Sequence, residues 1–191
     1  IRPLTTSYTP YQPERSQGTL VTHWIYQCVM SSLTGFEAIN SSLYDRSTAL
    51  FEAICCSLRL ARGRNAVIVS ETLFPSDLEV LRTHVEETGI ELVFAPLDET
   101  TGLIDLNALR TLASDCGENL AAIAFPQINS LGLLEEVDDL TDLTHEFGAK
   151  AIACADPMLL AGGGLKPPSD FGQNGADLLV GEGQHLAIGP N

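Results

Sequence analysis

The sequence predicts an α/β protein with a mostly parallel, doubly wound sheet and helices on both faces. Three observations carry that expectation. Short apolar runs alternate with longer segments whose apolar residues recur at every third and fourth position. Capping and terminating residues stand where such segments would begin and end, as Asp105, Gly89 and Gly148 do. Two late runs, over residues 149–155 and 176–180, are apolar almost throughout and then turn polar, the pattern of strands buried on both faces.

Taken in order, residues 1–13 hold Pro3, Pro10 and Pro13, which keep the chain extended. Tyr8 and Tyr11 in that segment either line a pocket or cover a core edge. A helix is expected over 14–34, where Leu20, Val21, Trp24, Ile25, Cys28, Val29 and Leu33 form one apolar stripe facing the core or a subunit interface. Gly35 is a good terminator for it. Residues 36–43 read as a strand or a turn. A helix over 47–62 can be capped by Asp45 or Ser47. Strands over 66–70, 90–95 and 120–125 then alternate with helices over 75–88, 105–114 and 138–147. Pro75 suits the first turn of one helix, and the acidic start of the last suits the helix dipole. Such alternation builds a parallel sheet with right-handed crossovers. Residues 160–170, with Gly162, Gly163, Gly164, Pro167 and Pro168, read as a loop whose glycines give flexibility or, less in keeping with the pattern, close approach to a ligand. No period repeats and no Ser/Gly linker divides the chain. It reads as one domain over 1–191, with an extended segment and long helix over 1–35 and the α/β core over 36–191.

Hydrophobic residues make up 45% of the 191, enough for one sizeable core. No apolar run approaches the ~20 residues of a membrane-spanning helix. The formal charge is −15, from 25 acids against 10 bases, which disfavours nucleic acid and anionic membrane as partners. The five cysteines include the adjacent pair Cys55 and Cys56 and no CxxC. They read as free, buried thiols in a reducing compartment, which places the protein in the cytoplasm and excludes a disulfide frame or zinc site. The chain opens Ile1-Arg2-Pro3, without methionine, and is expected to be an excerpt of a longer protein.

Ligands of open α/β sheets sit at the carboxyl ends of the strands. The run over 149–155 is followed there by Asp156-Pro157, and the run over 176–180 by Gly181-Glu182-Gly183-Gln184-His185. An acid after one strand and a reactive side chain after the next is the layout of a pyridoxal-phosphate (PLP) site: the acid holds the pyridine nitrogen and a lysine anchors the aldehyde. Asp156 is in place, but Gln184 stands where the lysine belongs. An amide is neither basic nor nucleophilic, and Asp156 before a proline is equally a structural turn. Tyr44-Asp45-Arg46-Ser47-Thr48, at the start of a helix, makes a candidate phosphate cradle. Only two lysines exist, Lys150 at the start of its strand and Lys166 in the loop after Asp156. There is no GxGxxG, Walker A sequence, HExxH or GxSxG, and His23, His84 and His145 are too scattered to build a metal site from spacing.

Five segments taken together resemble a known family. They are Tyr8-Thr9-Pro10-Tyr11-Gln12-Pro13, Tyr44-Asp45 with Thr48-Ala49, Asp156-Pro157, Leu165-Lys166-Pro167-Pro168, and Gly181-Glu182-Gly183-Gln184. In this order they resemble the amino-terminal half of the glycine cleavage system P-protein, glycine dehydrogenase (decarboxylating) subunit 1. The resemblance implies the large domain of a PLP-dependent transferase of fold type I, with one more strand past the lysine position. It also implies a division of labour: a lysine-bearing subunit 2 carries PLP, this subunit has no catalytic residue, and the assembly passes an aminomethyl group from glycine to the lipoyl H-protein. Tyr8, Thr9, Tyr11, Gln12, Tyr44, Asp45, Ser47, Thr48, Asp156, Gln184 and His185 would then outline a vestigial pocket. Two residues depart from the family: Arg46 stands where a glycine is usual, crowding any phosphate, and His185 replaces a small polar residue. Two other readings stay open, a self-sufficient PLP-dependent aminotransferase or decarboxylase using Lys166 or a lysine further on, and a purely structural interaction module.

Overall fold

Val67, Ile68 and Val69 are wholly buried, and their strand, β1 (Ala66–Ser70), lies inside a five-stranded sheet in a computed structural model that describes residues 7, 9–41 and 43–186. β2 (Glu91–Ala95) and β3 (Leu120–Pro126) flank β1; β4 (Lys150–Cys154) pairs with β3, and β5 (Leu178–Val180) with β4. All four pairings are parallel. All seven residues of β3 are buried, which is why its sequence shows no polar alternation.

Side chains of each strand point alternately to two cores. Ile68, Ile123, Phe125, Ala151 and Ala153 pack with Leu109 and Ala113 of α4 (Leu106–Cys116) and Leu140 and Leu143 of α5 (Val137–Glu146). Val67, Val69, Ala122, Ala124, Ile152 and Cys154 pack on the other face. Their partners are Leu50, Ala53 and Ile54 of α2 (Arg46–Leu60) and Leu78 and Leu81 of α3 (Pro75–Val85). The buried positions of α2 recur at three and four because only one face of that helix meets the sheet. Asp105 caps α4 as expected, accepting from the amides of Asn107 and Ala108 at 2.9 and 3.0 Å.

Boundaries move where backbone groups find other partners. β5 starts at Leu178, two residues late, because the Ala176 amide bonds the Pro168 carbonyl in the preceding loop. The helix expected from residue 14 begins at Gln17, α1 (Gln17–Thr34), behind a short 3₁₀ turn at Pro13–Arg15. Gly35 ends α1 in the left-handed conformation, φ 78°. Residues 36–41 form neither strand nor helix, because side chains of α1 take their carbonyls: Ser31 Oγ donates to Phe36 O at 2.6 Å, and Gln27 Nε2 donates to Ile39 O. The loop over 160–170 contains two 3₁₀ pieces, Pro157–Gly163 and Pro168–Asp170.

One expectation is narrowed and two are corrected. Of the two faces expected for the α1 stripe, the core of this chain is ruled out and a subunit interface is left: Trp24 is 67% exposed and Val29 54%, with Leu20, Val21 and Ile25 also exposed. What α1 buries is Gly18, Met30 and Thr34. The cysteines are not uniformly buried, since Cys154 is buried, Cys28 exposed and the other three intermediate. Gly164 gives close packing and not mere flexibility, because a Cβ there would stand 2.1 Å from the Leu159 carbonyl oxygen.

Candidate functional site

α2 runs into β1 through the amino edge of the sheet, so the first turn of α2 lies at the carboxyl edge. α3 starts just past the end of β1. Two helix amino termini, each with unpaired amides and a partial positive charge, therefore meet beside the strand ends. In an α/β sheet of this order the ligand crevice opens where the order reverses, between β1 and β3. Here that crevice is bridged: the Ser130 amide donates to the Thr72 carbonyl at 2.8 Å.

The helix starts carry their own anions. Asp45 accepts from the Thr48 amide at 2.7 Å, and this bond holds its carboxyl below the usual carboxylate range. Asp77, in the first turn of α3, is buried. Its carboxylate accepts from Arg46 Nε and Nη2 at 2.9 and 2.8 Å and from Ser47 Oγ at 2.7 Å. The Arg46 guanidinium also lies over the Phe74 ring, 4.6 Å from its centroid. Burial, reinforced by the Asp77 charge, pushes the Cys154 thiol at the end of β4 up to about 12, so it stays protonated at neutral pH.

Asp156 caps the 3₁₀ segment that follows it, accepting from the Met158 amide at 2.9 Å. Past β5, Gly181 and Gly183 serve packing. A Cβ at Gly181 would stand 2.7 Å from the Ala155 carbonyl oxygen, and one at Gly183 would stand 2.6 Å from Tyr26 Oη. α1 thus lies directly against this turn, and burial, with Glu182 nearby, raises the Tyr26 phenol above its ordinary range. Gln184 is exposed, and its backbone N–H donates to Glu182 Oε1 at 3.2 Å.

Both lysines are spent elsewhere. Lys166 Nζ pairs with both carboxylate oxygens of Asp138 at 2.8 and 3.0 Å, at the start of α5. Lys150 Nζ pairs with Asp177 at 2.6 Å on the amino edge, where His145 Nε2 and the Ala151 amide join the same carboxylate at 2.8 and 2.9 Å.

The expected pocket residues separate into two groups. Asp45, Ser47 and Thr48 share the first turn of α2, and Asp156 and Gln184 follow β4 and β5. Tyr44 and Tyr11 are 93% and 86% exposed, so neither ring lines a pocket or covers a core edge of this chain. Gln12 precedes the 3₁₀ turn over 13–15, its carbonyl accepting from the Arg15 amide at 3.0 Å and its side chain making no cap, and Thr9 O accepts from the Tyr11 amide at 2.9 Å. Tyr8 and the His185 side chain lie outside the described residues. Two residues escaped the sequence reading. Asp77 looked like an ordinary first-turn acid, with nothing to link it to Arg46 and Ser47 thirty residues earlier. Gln127, at the end of β3, is buried with its amide donating to the Lys166 carbonyl at 2.7 Å and its Oε1 without a hydrogen-bond partner.

PLP requires an amine, an acid for its ring nitrogen and donors for its phosphate. The residues present do not fit it. The position the sequence suggested for the amine holds an amide, Asp156 is drawn into capping, and the donors of the cradle already hold carboxylates. A surface cleft of about 560 Å³ lies between α4 and α5 and is lined by Asn107, Arg110, Asp142 and Glu146 among others. No group of three metal-ligating side chains occurs among the described residues, and no described helix is long and apolar enough to cross a membrane.

Residues 3–190 match the family described as glycine cleavage system P-protein. A protein of Nitrosospira multiformis named probable glycine dehydrogenase (decarboxylating) subunit 1 is 44% identical over 182 residues, covering 95% of this chain and 39% of that one. The crystal structure of a glycine decarboxylase (P-protein) of the glycine cleavage system, in inhibitor-bound form, is 39% identical with a TM-score of 0.81. That match covers 96% of this chain and 39% of the other. L-threonine transaldolase from Pseudomonas fluorescens, in its internal aldimine state, is 16% identical with a TM-score of 0.63 over 91% of this chain and 37% of its own, and shares the fold alone. The architecture is that of the large domain of fold-type-I PLP-dependent transferases. The chain spans about two fifths of the length of the curated relatives it matches.

Proposed function

Because this chain belongs to the glycine cleavage system P-protein family, we propose that it is part of the non-lysine subunit of glycine decarboxylase, an oxidoreductase of glycine catabolism. In that role it completes and supports a second, lysine-bearing subunit that holds PLP. The assembly decarboxylates glycine and delivers the aminomethyl group to the lipoyl arm of the H-protein, and this chain alone is inactive. The reading places the oligomer in the cytoplasm.

The observation that carries the proposal is the chemistry past β5. Gln184, which the sequence suggests stands at the amine's position, is an amide, and both lysines of these 191 residues are ion-paired elsewhere. The name subunit 1 among the relatives supports a second subunit. So does α1, eighteen residues without Asp, Glu, Lys or Arg, with apolar side chains in the open. Contact cores between proteins are depleted in charge in the same way. The rival reading, a self-sufficient PLP enzyme using Lys166, is disfavoured by geometry: its Nζ is turned onto the Asp138 carboxylate at the start of α5, not toward a cofactor.

The test is to mix the purified chain with PLP, reduce with borohydride and take a mass. The chain is expected unmodified, and a pyridoxyl adduct on it would overturn the assignment. Reconstitution separates the remaining rival. With the second subunit and lipoylated H-protein supplied, glycine decarboxylation is expected to require this subunit, whereas a purely structural module predicts that omitting it leaves activity intact.

A further inference from the structure

The missing lysine explains why PLP would not be anchored here covalently. It does not explain whether the coenzyme's phosphate could still be bound, because the helix starts that cradle phosphates in such folds are both present. The sequence offers one obstacle, the side chain of Arg46. The geometry shows a different one. Arg46 does not project across the first turn of α2 as a plug; its guanidinium is turned onto Phe74 and fixed to Asp77 by two hydrogen bonds. Asp77 is the group that faces the donors. Buried and arriving from α3, it takes the Ser47 hydroxyl on one oxygen and Arg46 on the other.

We infer that Asp77 is the resident anion of this cradle, and that its carboxylate, not the bulk of Arg46, closes the carboxyl edge of the chain to phosphate monoesters. A guanidinium, a hydroxyl and a helix amino terminus form the donor set that a phosphate recruits. Here the set is assembled and already satisfied from within. The charges balance as well: two helix termini worth about half a unit each and one guanidinium face the carboxylates of Asp45 and Asp77. A phosphate carrying about −1.5 to −2 would meet no net positive field and would have to displace a buried, triply bonded carboxylate. The closure belongs to the cradle itself and holds whatever partner covers the chain. It also locks the start of α2 to the start of α3.

The experiment is a titration of the full, isotope-labelled chain with inorganic phosphate through the millimolar range, with chloride at matched ionic strength as control, following the amides of Arg46, Ser47 and Thr48. The wild-type amides are expected to stay still. In Asp77→Asn the carboxylate is gone while Arg46 and Ser47 remain, so saturable phosphate-specific shifts are expected, with a phosphate-dependent rise in melting temperature absent from the wild type. In Arg46→Gly the bulk is gone but Asp77 remains, so the amides should again stay still. Saturable shifts in the wild type would overturn the inference. So would a phosphate site opened by Arg46→Gly, or a folded Asp77→Asn chain that gains no phosphate response. If Asp77→Asn does not fold, the wild-type and Arg46→Gly titrations still decide between closure by Asp77 and crowding by Arg46. A failure of the borohydride test would strike the lysine argument and leave these three titrations untouched.

Discussion

Asp177 holds the opposite edge of the sheet together. Burial opposes its ionisation, yet hydrogen bonds from Lys150, the Ala151 amide and His145 leave its carboxyl below the ordinary value of 3.8. A carboxyl with a depressed folded pKa contributes stability that is fully present above its unfolded value and is lost as the pH falls through the folded one. Asp177→Asn should therefore destabilise the chain by about 1–3 kcal/mol at neutral pH, from weakened charged hydrogen bonds. The gap between mutant and wild type should begin to narrow below the ordinary carboxyl value of 3.8 and close only as the pH falls through the depressed folded value, where the wild-type carboxyl also protonates. Urea midpoints at several pH values check this; a gap that stays constant into the acid range would mean the pairing is not what the mutation removes. At this scale the sequence spoke unevenly. Gln184 was legible because amine versus amide is written in the letter itself. The Arg46–Asp77 contact was not, because two charges thirty-one positions apart on different helices leave no periodic trace.

Periodicity is a property of elements, and the elements were legible for that reason. Expected strands and observed strands agree to within two residues, since a run buried on both faces and a capped, three-four patterned helix each have one good physical solution. Periodicity identifies a face but not what covers it, and α1 shows the difference. Its stripe was read correctly as a stripe, yet it points outward, while Phe125 in the middle layer has no exposure at all. The two positions should respond oppositely. Phe125→Ala leaves a cavity between β3 and the α4–α5 layer and should cost about 3–5 kcal/mol. Trp24→Ser removes no packing of this size in the isolated chain and should stay within about 0.5 kcal/mol of wild type. Chemical denaturation of both variants tests the contrast, and a large loss from Trp24→Ser would show that α1 is covered by the chain's own residues.

The molecule as a whole carries far more negative charge than its few cations can pair. The parallel sheet was legible at this scale, but its strand order was not, because nothing in a strand's letters says which neighbour it takes. The charge was legible outright: 25 acids against 10 bases. Most of these acids are on the surface, and a chain of this length folds to a radius of gyration near 16 Å. At 0.01 M salt the screening length is about 30 Å, so the acids repel one another across the whole molecule; at 0.15 M it is about 8 Å, and only near neighbours interact. Two effects then compete on adding salt. Screening relieves the self-repulsion of the compact state and stabilises it. It also weakens ion pairs, but Arg110–Glu146 and Arg59–Glu52 are exposed and worth little, while Arg46–Asp77 is sheltered by the burial of Asp77. The relief should win. The urea midpoint is expected to rise as sodium chloride goes from about 0.01 to 0.15 M and to flatten beyond, where the remaining repulsion is already short-ranged. A midpoint that falls over the same range would mean that the ion pairs, and not the surplus of acids, set the electrostatic balance of the fold.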